Sequence, residues 1–181
     1  MKIALDNNST LLINRSENPV SPREYFRVWT WVSNYRNFNG DKDADTSILE
    51  FYFKNRTEEI YQDKDIIIVP VYAYIHTGIS LSTKRFNDKW DSGIFAVAYL
   101  KKSENPERFD VISKELSIGI NDLSLEVSEL QDYLNGEVYS VERLDNESQE
   151  SLDYCDDLYG FSACYDYVLS EYGIEISELD I

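Results

Sequence analysis

Ile66 to Ile75 is a ten-residue run of Ile, Val, Tyr and Ala broken only by Pro70. An uninterrupted apolar run of this length reads as a strand buried on both faces, so its sheet needs a cover on each side. Pro70 has no N–H to give a ladder, which argues for an edge strand or a bulge at that point. Ile79 to Thr83 and Gly93 to Leu100 are two further strand candidates, separated by the polar stretch Lys84 to Ser92. Together the three read as an antiparallel meander. No run in the chain approaches the ~20 apolar residues that span a bilayer, so no membrane partner is expected, and the first ten residues lack the apolar centre of a signal peptide.

Lys2 to Leu5 and Thr10 to Asn14 flank Asp6-Asn7-Asn8-Ser9, and Asn and Asp tolerate the left-handed conformations of a tight turn. The N-terminus is therefore expected to be a β-hairpin. Ser21-Pro22, with Glu24 three residues after the serine, resembles a capped helix start, so Arg23 to Trp29 reads as a helical turn. Trp29 to Ser33 reads equally well as extended. Asn37 to Asp45 reads as a loop, and Ile48 to Phe53 as either a helix or a strand. Leu123, Val127, Leu130 and Leu134 form one stripe of an amphipathic helix, with Asn121 or Asp122 at its start and Gly136 at its end. Glu137 to Leu144 should return as a strand. Tyr165, Val168, Leu169 and Tyr172 mark a final helix stopped by Gly173. The expected class is α+β: one domain with an antiparallel sheet, packed helices and an N-terminal hairpin.

Charge narrows the partners. Residues 1–102 carry 14 basic and 13 acidic side chains, whereas residues 103–181 carry 3 and 21, for a total of −17. With 43% hydrophobic and 14% aromatic residues the chain is far too apolar for a disordered acidic tail. Free DNA or RNA would be repelled by the second half, because phosphate binding needs clustered cations. A basic groove would be attracted to it, and Glu147, Glu150, Asp153, Asp156 and Asp157 form the candidate acidic face. The alternative is a solubilising surface. Cys155 and Cys164 have no CxxC partner and fit a reduced, cytoplasmic setting, with a single disulfide feasible but unneeded.

Candidate chemistry is sparse. One His and two scattered Cys cannot assemble a zinc site from N and S ligands. Asp41 to Asp45 opens like a calcium loop, but Thr46 stands where that loop needs Gly and Tyr52 where it needs Glu. No phosphate-cradling glycine motif is present, so no cofactor is expected. His76 sits at a strand end where it could reach Asp91, the pairing used in general acid–base catalysis, and Lys84 and Arg85 could stabilise a phosphorane. The same pairing also pins hairpins as a structural hydrogen bond. Ser92 beside Asp91 completes a formal triad, but adjacent residues on an extended chain point opposite ways. Lys2, Arg15, Arg23, Arg27 and Arg36 form a candidate cationic arm for RNA phosphates or a nuclease, against the alternative of ordinary solvated charge.

Three stretches carry a resemblance. They are Pro22-Arg23-Glu24 through Trp29-Thr30-Trp31-Val32 and Tyr35-Arg36 to Gly40-Asp41; Pro70-Val71-Tyr72 through His76-Thr77-Gly78-Ile79-Ser80 and Ser82-Thr83 to Trp90-Asp91-Ser92-Gly93; and Tyr133 to Tyr139, followed by Asp153, Cys155 and Tyr159-Gly160-Phe161. In that order they resemble a family of small phage- and mobile-element-encoded proteins, and within it an anti-CRISPR branch directed at type II RNA-guided nucleases. The resemblance covers residues 20–161, leaving 1–15 as a hairpin extension and 162–181 as an acidic helix and tail. It implies a type II CRISPR nuclease and its guide RNA as partners, nuclease-dependent shortening of the guide, and action in the cytoplasm of a bacterial host. It brings no catalytic residues. The other readings are an acidic nucleic-acid mimic that blocks a nuclease stoichiometrically, and a regulatory binding module.

Overall fold

A computed structural model describes residues 1–25, 27–36, 38–55, 59–88 and 90–178. Phe26 and Asn37, in the expected turn and loop, Lys89 in the polar stretch, and residues 179–181 of the tail lie outside the described residues. The chain divides into two compact units, residues 1–24 with 132–181 and residues 25–131. Its class is α+β with antiparallel sheets and packed helices.

In the first unit β1 (Lys2–Ala4) and β2 (Ser9–Arg15) form the expected hairpin. Asp6 sets its turn, accepting from the amides of Asn8 at 2.7 Å and Ser9 at 2.8 Å. The hairpin is no appendage. β2 pairs along its length with β9 (Val138–Asp145), which pairs with β10 (Ser151–Tyr159), giving the order β1-β2-β9-β10. Leu11 and Ile13 alternate inward on β2, as Tyr139 and Val141 do on β9. Helix α4 (Gly160–Tyr172) covers that face with Cys164 and Val168, and Gly173 ends it at φ +67°. Cys155 and Cys164 are free thiols, and burial pushes Cys164 up to about 11. Strand β10 was not anticipated, because its carboxylates and two bulges hide the alternation.

The second unit is built on the Ile66–Ile75 run. Strands β3 (Thr30–Tyr35), β4 (Phe38–Gly40), β5 (Tyr61–Gln62), β6 (Ile66–Ile75), β7 (Ile79–Ser82) and β8 (Ser92–Lys101) form a sheet of order β4-β3-β8-β6-β5, with β7 also on β6. β6 is interior, and Pro70 is accommodated because its outer side falls between the ends of β5, opposite Ile68, and β7, opposite Tyr72. A bulge follows at once between Val71 and Tyr72. The meander expected of β6, β7 and β8 is corrected: β8 pairs with β6, not β7, since only β6 offers it a ten-residue apolar partner.

Both faces are covered, as a doubly buried strand requires. Helix α1 (Ser47–Lys54) packs Ile48, Leu49 and Tyr52 on Val32, Ile68, Val97 and Tyr99. Helix α3 (Leu116–Leu134) meets the other face, where Trp29 donates from Nε1 to the Gly119 carbonyl at 3.0 Å. α3 starts well before Asn121, and Asp122 pairs with Arg108 instead of capping it. Gly136, at φ +73°, stands just beyond its end as expected. Between β8 and α3 lies α2 (Pro106–Lys114), also unanticipated, capped by Asn105. The expected turn after Ser21 shrinks to a 3-10 turn at Pro22–Glu24, and the expected loop contains β4.

Asp45 ties α1 to the sheet. Its Oδ2 accepts from Lys101 Nζ at 2.7 Å and its Oδ1 from the Ser47 hydroxyl at 2.6 Å, and these hold its carboxyl down at about 2. A carboxyl depressed in the fold stabilises it fully above the ordinary value of 3.8, and that stabilisation is lost as pH falls toward 2. With the side chain 39% exposed, screening leaves about 1 kcal/mol. Asp45→Asn should therefore lose about 1 kcal/mol in urea denaturation at pH 7, with the gap closing between pH 4 and 2. A gap independent of pH would rule the ion pair out as its cause.

Candidate functional site

In the second unit the Lys84–Ser92 connection ends in a tightly built corner. Asp88 Oδ1 accepts from the amides of Trp90 at 2.8 Å and Asp91 at 3.0 Å, which hold its carboxyl below the usual range. The Ser92 hydroxyl donates to the Asp88 carbonyl, and the Ile75 amide donates to the Asp91 carbonyl at 2.8 Å, joining the corner to β6. Trp90 is left 94% exposed, whereas Trp29 and Trp31 are buried. The corner borders an open hollow of about 290 Å³ with Tyr35, Ile75 and Phe95. Behind it the Phe95 ring stacks on Phe38 at 5.1 Å and meets Tyr35 at 5.0 Å. The Asp91 carboxylate accepts no hydrogen bond and pairs with no cation among the described residues.

His76 is exposed on the turn beyond β6, its ring 6° from parallel with Tyr74 at 6.4 Å. No hydrogen bond joins it to Asp91. Lys84 is exposed, its amide bonded to Ser82 Oγ at 2.9 Å. Arg85 borders a different hollow with Glu59, Ile60 and Tyr72. The four residues thus share a neighbourhood of chain without converging on one reacting position. Ser92 is committed to the backbone, so the formal triad has no free nucleophile.

The cationic candidates divide between the units. Lys2 lies on the edge strand β1, where a lysine discourages pairing with other chains. Arg15 stands over the Tyr139 ring at 5.9 Å, and Arg23 lies in the 3-10 turn. Arg27 belongs to the second unit and pairs with Glu129 at 3.0 Å, and Arg36 follows β3, exposed. The division of charge by chain halves also gives way. The first unit has three basic and three acidic residues in 1–24 but one against fourteen in 132–181, a net of −13, leaving −4 for the second. Lys2, Arg15 and Arg23 therefore sit within the acidic unit.

The acidic candidates differ among themselves. Asp156 and Asp157 form a bulge of the edge strand β10, Asp157 at φ +55°. Asp156 accepts from the Ser16 hydroxyl and Asp157 from the Val20 amide at 3.0 Å, so both fasten residues 16–20. Asp153 accepts from the Tyr172 hydroxyl at 2.7 Å. Glu147 and Glu150 stand on the exposed β9–β10 turn, their side chains turned to solvent. Three of the five carboxylates are thus engaged in the fold and two are available. Among the described residues no group of three or more His, Cys, Asp or Glu is arranged around a metal, and no helix is long and apolar enough to cross a membrane.

Neither the known protein families, nor the curated proteins, nor the solved structures contain a match to this chain.

Trp90 and Asp91 are legible in the sequence as parts of a motif, whereas Asp88 as their anchor is not. The Asn87-Asp88 pair before a Trp, a turn signal, was the available clue.

Proposed function

We propose that this chain is a phage- or mobile-element-encoded inhibitor of a type II RNA-guided DNA nuclease. It binds the nuclease in the bacterial cytoplasm and takes its guide RNA out of function. The observation that carries this reading is the gathering of fourteen carboxylates against one cation in residues 132–181, all within one unit. The nucleic-acid channel of such a nuclease is positively charged, and an acidic surface is drawn to it. The stoichiometric variant, in which the acidic unit occupies the channel and the guide stays whole, is favoured over cleavage by this chain itself by one feature: among the described residues no carboxylate hydrogen-bonds to His76 to orient it.

Guide RNA is incubated with the protein, with and without the nuclease, and its length and target-DNA cleavage are read on denaturing gels. Lost cleavage with intact guide supports blocking, and a guide shortened only with all three present supports truncation. Unaffected cleavage overturns both. The combined variant Glu147→Gln, Glu150→Gln, Asp166→Asn and Glu171→Gln spares the carboxylates that fasten residues 16–20. It should inhibit roughly 10–100-fold less well, at about 0.5 kcal/mol for each exposed charge.

A further inference from the structure

We propose that the hollow beside Trp90 is a docking site for one arginine side chain of a basic protein partner, with the guanidinium stacked on Trp90 and paired with Asp91. At about 290 Å³ the hollow lies at the lower limit of small-molecule sites, which are typically about 300–1,000 Å³. It suits a single side chain better than a cofactor. Tyr35 and Trp90 border it with aromatic rings beside apolar Ile75 and Ile94, and its one charged group among the described residues is Asp91. An apolar occupant would cover that carboxylate and leave it unpaired, which is costly. A nucleotide would bring phosphates toward Asp88 and Asp91 in a chain of net charge −17. A cation satisfies carboxylate and rings together. Between the two basic side chains, the planar guanidinium both stacks on an aromatic face and matches a carboxylate with two parallel donors.

The site is built before any partner arrives. Asp88 fixes the backbone of Trp90 and Asp91, and the Ile75 amide fixes Asp91 from the other side. Gly93 lines the hollow, and a Cβ placed there meets no atom within 4 Å, so a larger side chain has room to enter it. Trp and Arg are also, with Tyr, the residue types enriched among those that dominate protein–protein affinity. The inference rests on the reading that the partner is a basic protein, and it places an anchor outside the acidic unit.

The full chain is titrated with an acetylated, amidated Gly-Arg-Gly-Arg-Gly peptide while tryptophan emission is followed. Trp90 reports locally, because Trp29 and Trp31 are buried at 1% and 0% exposure. The arginine peptide should change the emission saturably, and the same peptide with citrulline should bind at least tenfold more weakly. Asp91→Asn should weaken binding at least tenfold, and Gly93→Val, which fills the hollow, should abolish it. An equal response to citrulline overturns the proposal, as does binding unchanged in both variants. A tighter response to a short single-stranded oligoribonucleotide would assign the hollow to RNA instead, and an emission shift with protein concentration alone would assign it to a second copy. The nuclease assay separates the two readings. A protein that binds the arginine peptide but leaves the nuclease active keeps the hollow and loses the nuclease. One that inhibits but ignores the peptide does the reverse.

Discussion

Replacing Glu126 by leucine is expected to cost about 3–5 kcal/mol of stability. Glu126 lies on the buried stripe of α3, 7% exposed, one turn from Leu123 and Leu130. Its Oε1 accepts from the amides of Val28 at 3.1 Å and Trp29 at 3.3 Å, and its Oε2 from Trp31 Nε1 at 3.1 Å. Leucine supplies comparable volume but strands three donors, each worth about 1–3 kcal/mol when left unmet in the interior. Relaxation and entering water reduce the sum to the stated range. Glu126→Gln keeps one acceptor oxygen and should fall between wild type and leucine. Urea denaturation reads both, and a leucine variant within 1 kcal/mol of wild type would show that these donors find other acceptors.

Gly40→Ala is expected to cost about 2–6 kcal/mol. Gly40 has φ +83°, and a Cβ there would stand 2.5 Å from the Trp31 carbonyl oxygen and 2.9 Å from the Val32 Cα. Those atoms are backbone of β3, held in register by Trp31 opposite Ala98 and Val32 opposite Val97. The left-handed conformation costs an alanine about 1–3 kcal/mol. The clash adds a similar amount, because the strand cannot retreat. Asp41 shows why the approach must be close: its amide donates to the Trp31 carbonyl at 2.8 Å and its Oδ2 accepts from the Trp31 amide at 2.9 Å. Gly93→Ala is the control, with open space around its Cβ and an effect near zero. Equal losses at the two glycines in denaturation would refute the steric account.

Periodicity and turn chemistry made much of this fold legible. Ile66–Ile75 announced a strand covered twice, the Leu123 stripe announced α3, and Gly136 and Gly173 marked two helix ends by their freedom at positive φ. Partner choice was not legible. Nothing local to Gly93–Leu100 says that it lies against β6 and not β7; the choice follows from the length and apolar character of β6, a property of the distant partner. β10 escaped because two bulges interrupt its period of two and carboxylates fill its exposed positions. α2 escaped despite Asn105-Pro106, a cap followed by a first-turn proline, because its apolar positions are few. At the site, Trp90 and Asp91 could be picked out as residues but not placed. Whether a Trp is a core side chain or an exposed platform depends on which way a single turn faces, and Asp88 sets that turn.

The sheet of the first unit joins Thr10 to Leu144 and Ile13 to Val141, strands separated by most of the chain. As the chain is made, β1 and β2 emerge before β9 and the second edge of β2 has no partner until β9 follows, whereas residues 25–131 are contiguous and free to close on their own as they appear. Contacts this distant along the chain form slowly. During that wait the apolar segment Leu11-Leu12-Ile13 is an open strand edge, the part of the newborn chain most exposed to pairing with a neighbour. The second edge of β2 is made before the second unit and closed after it.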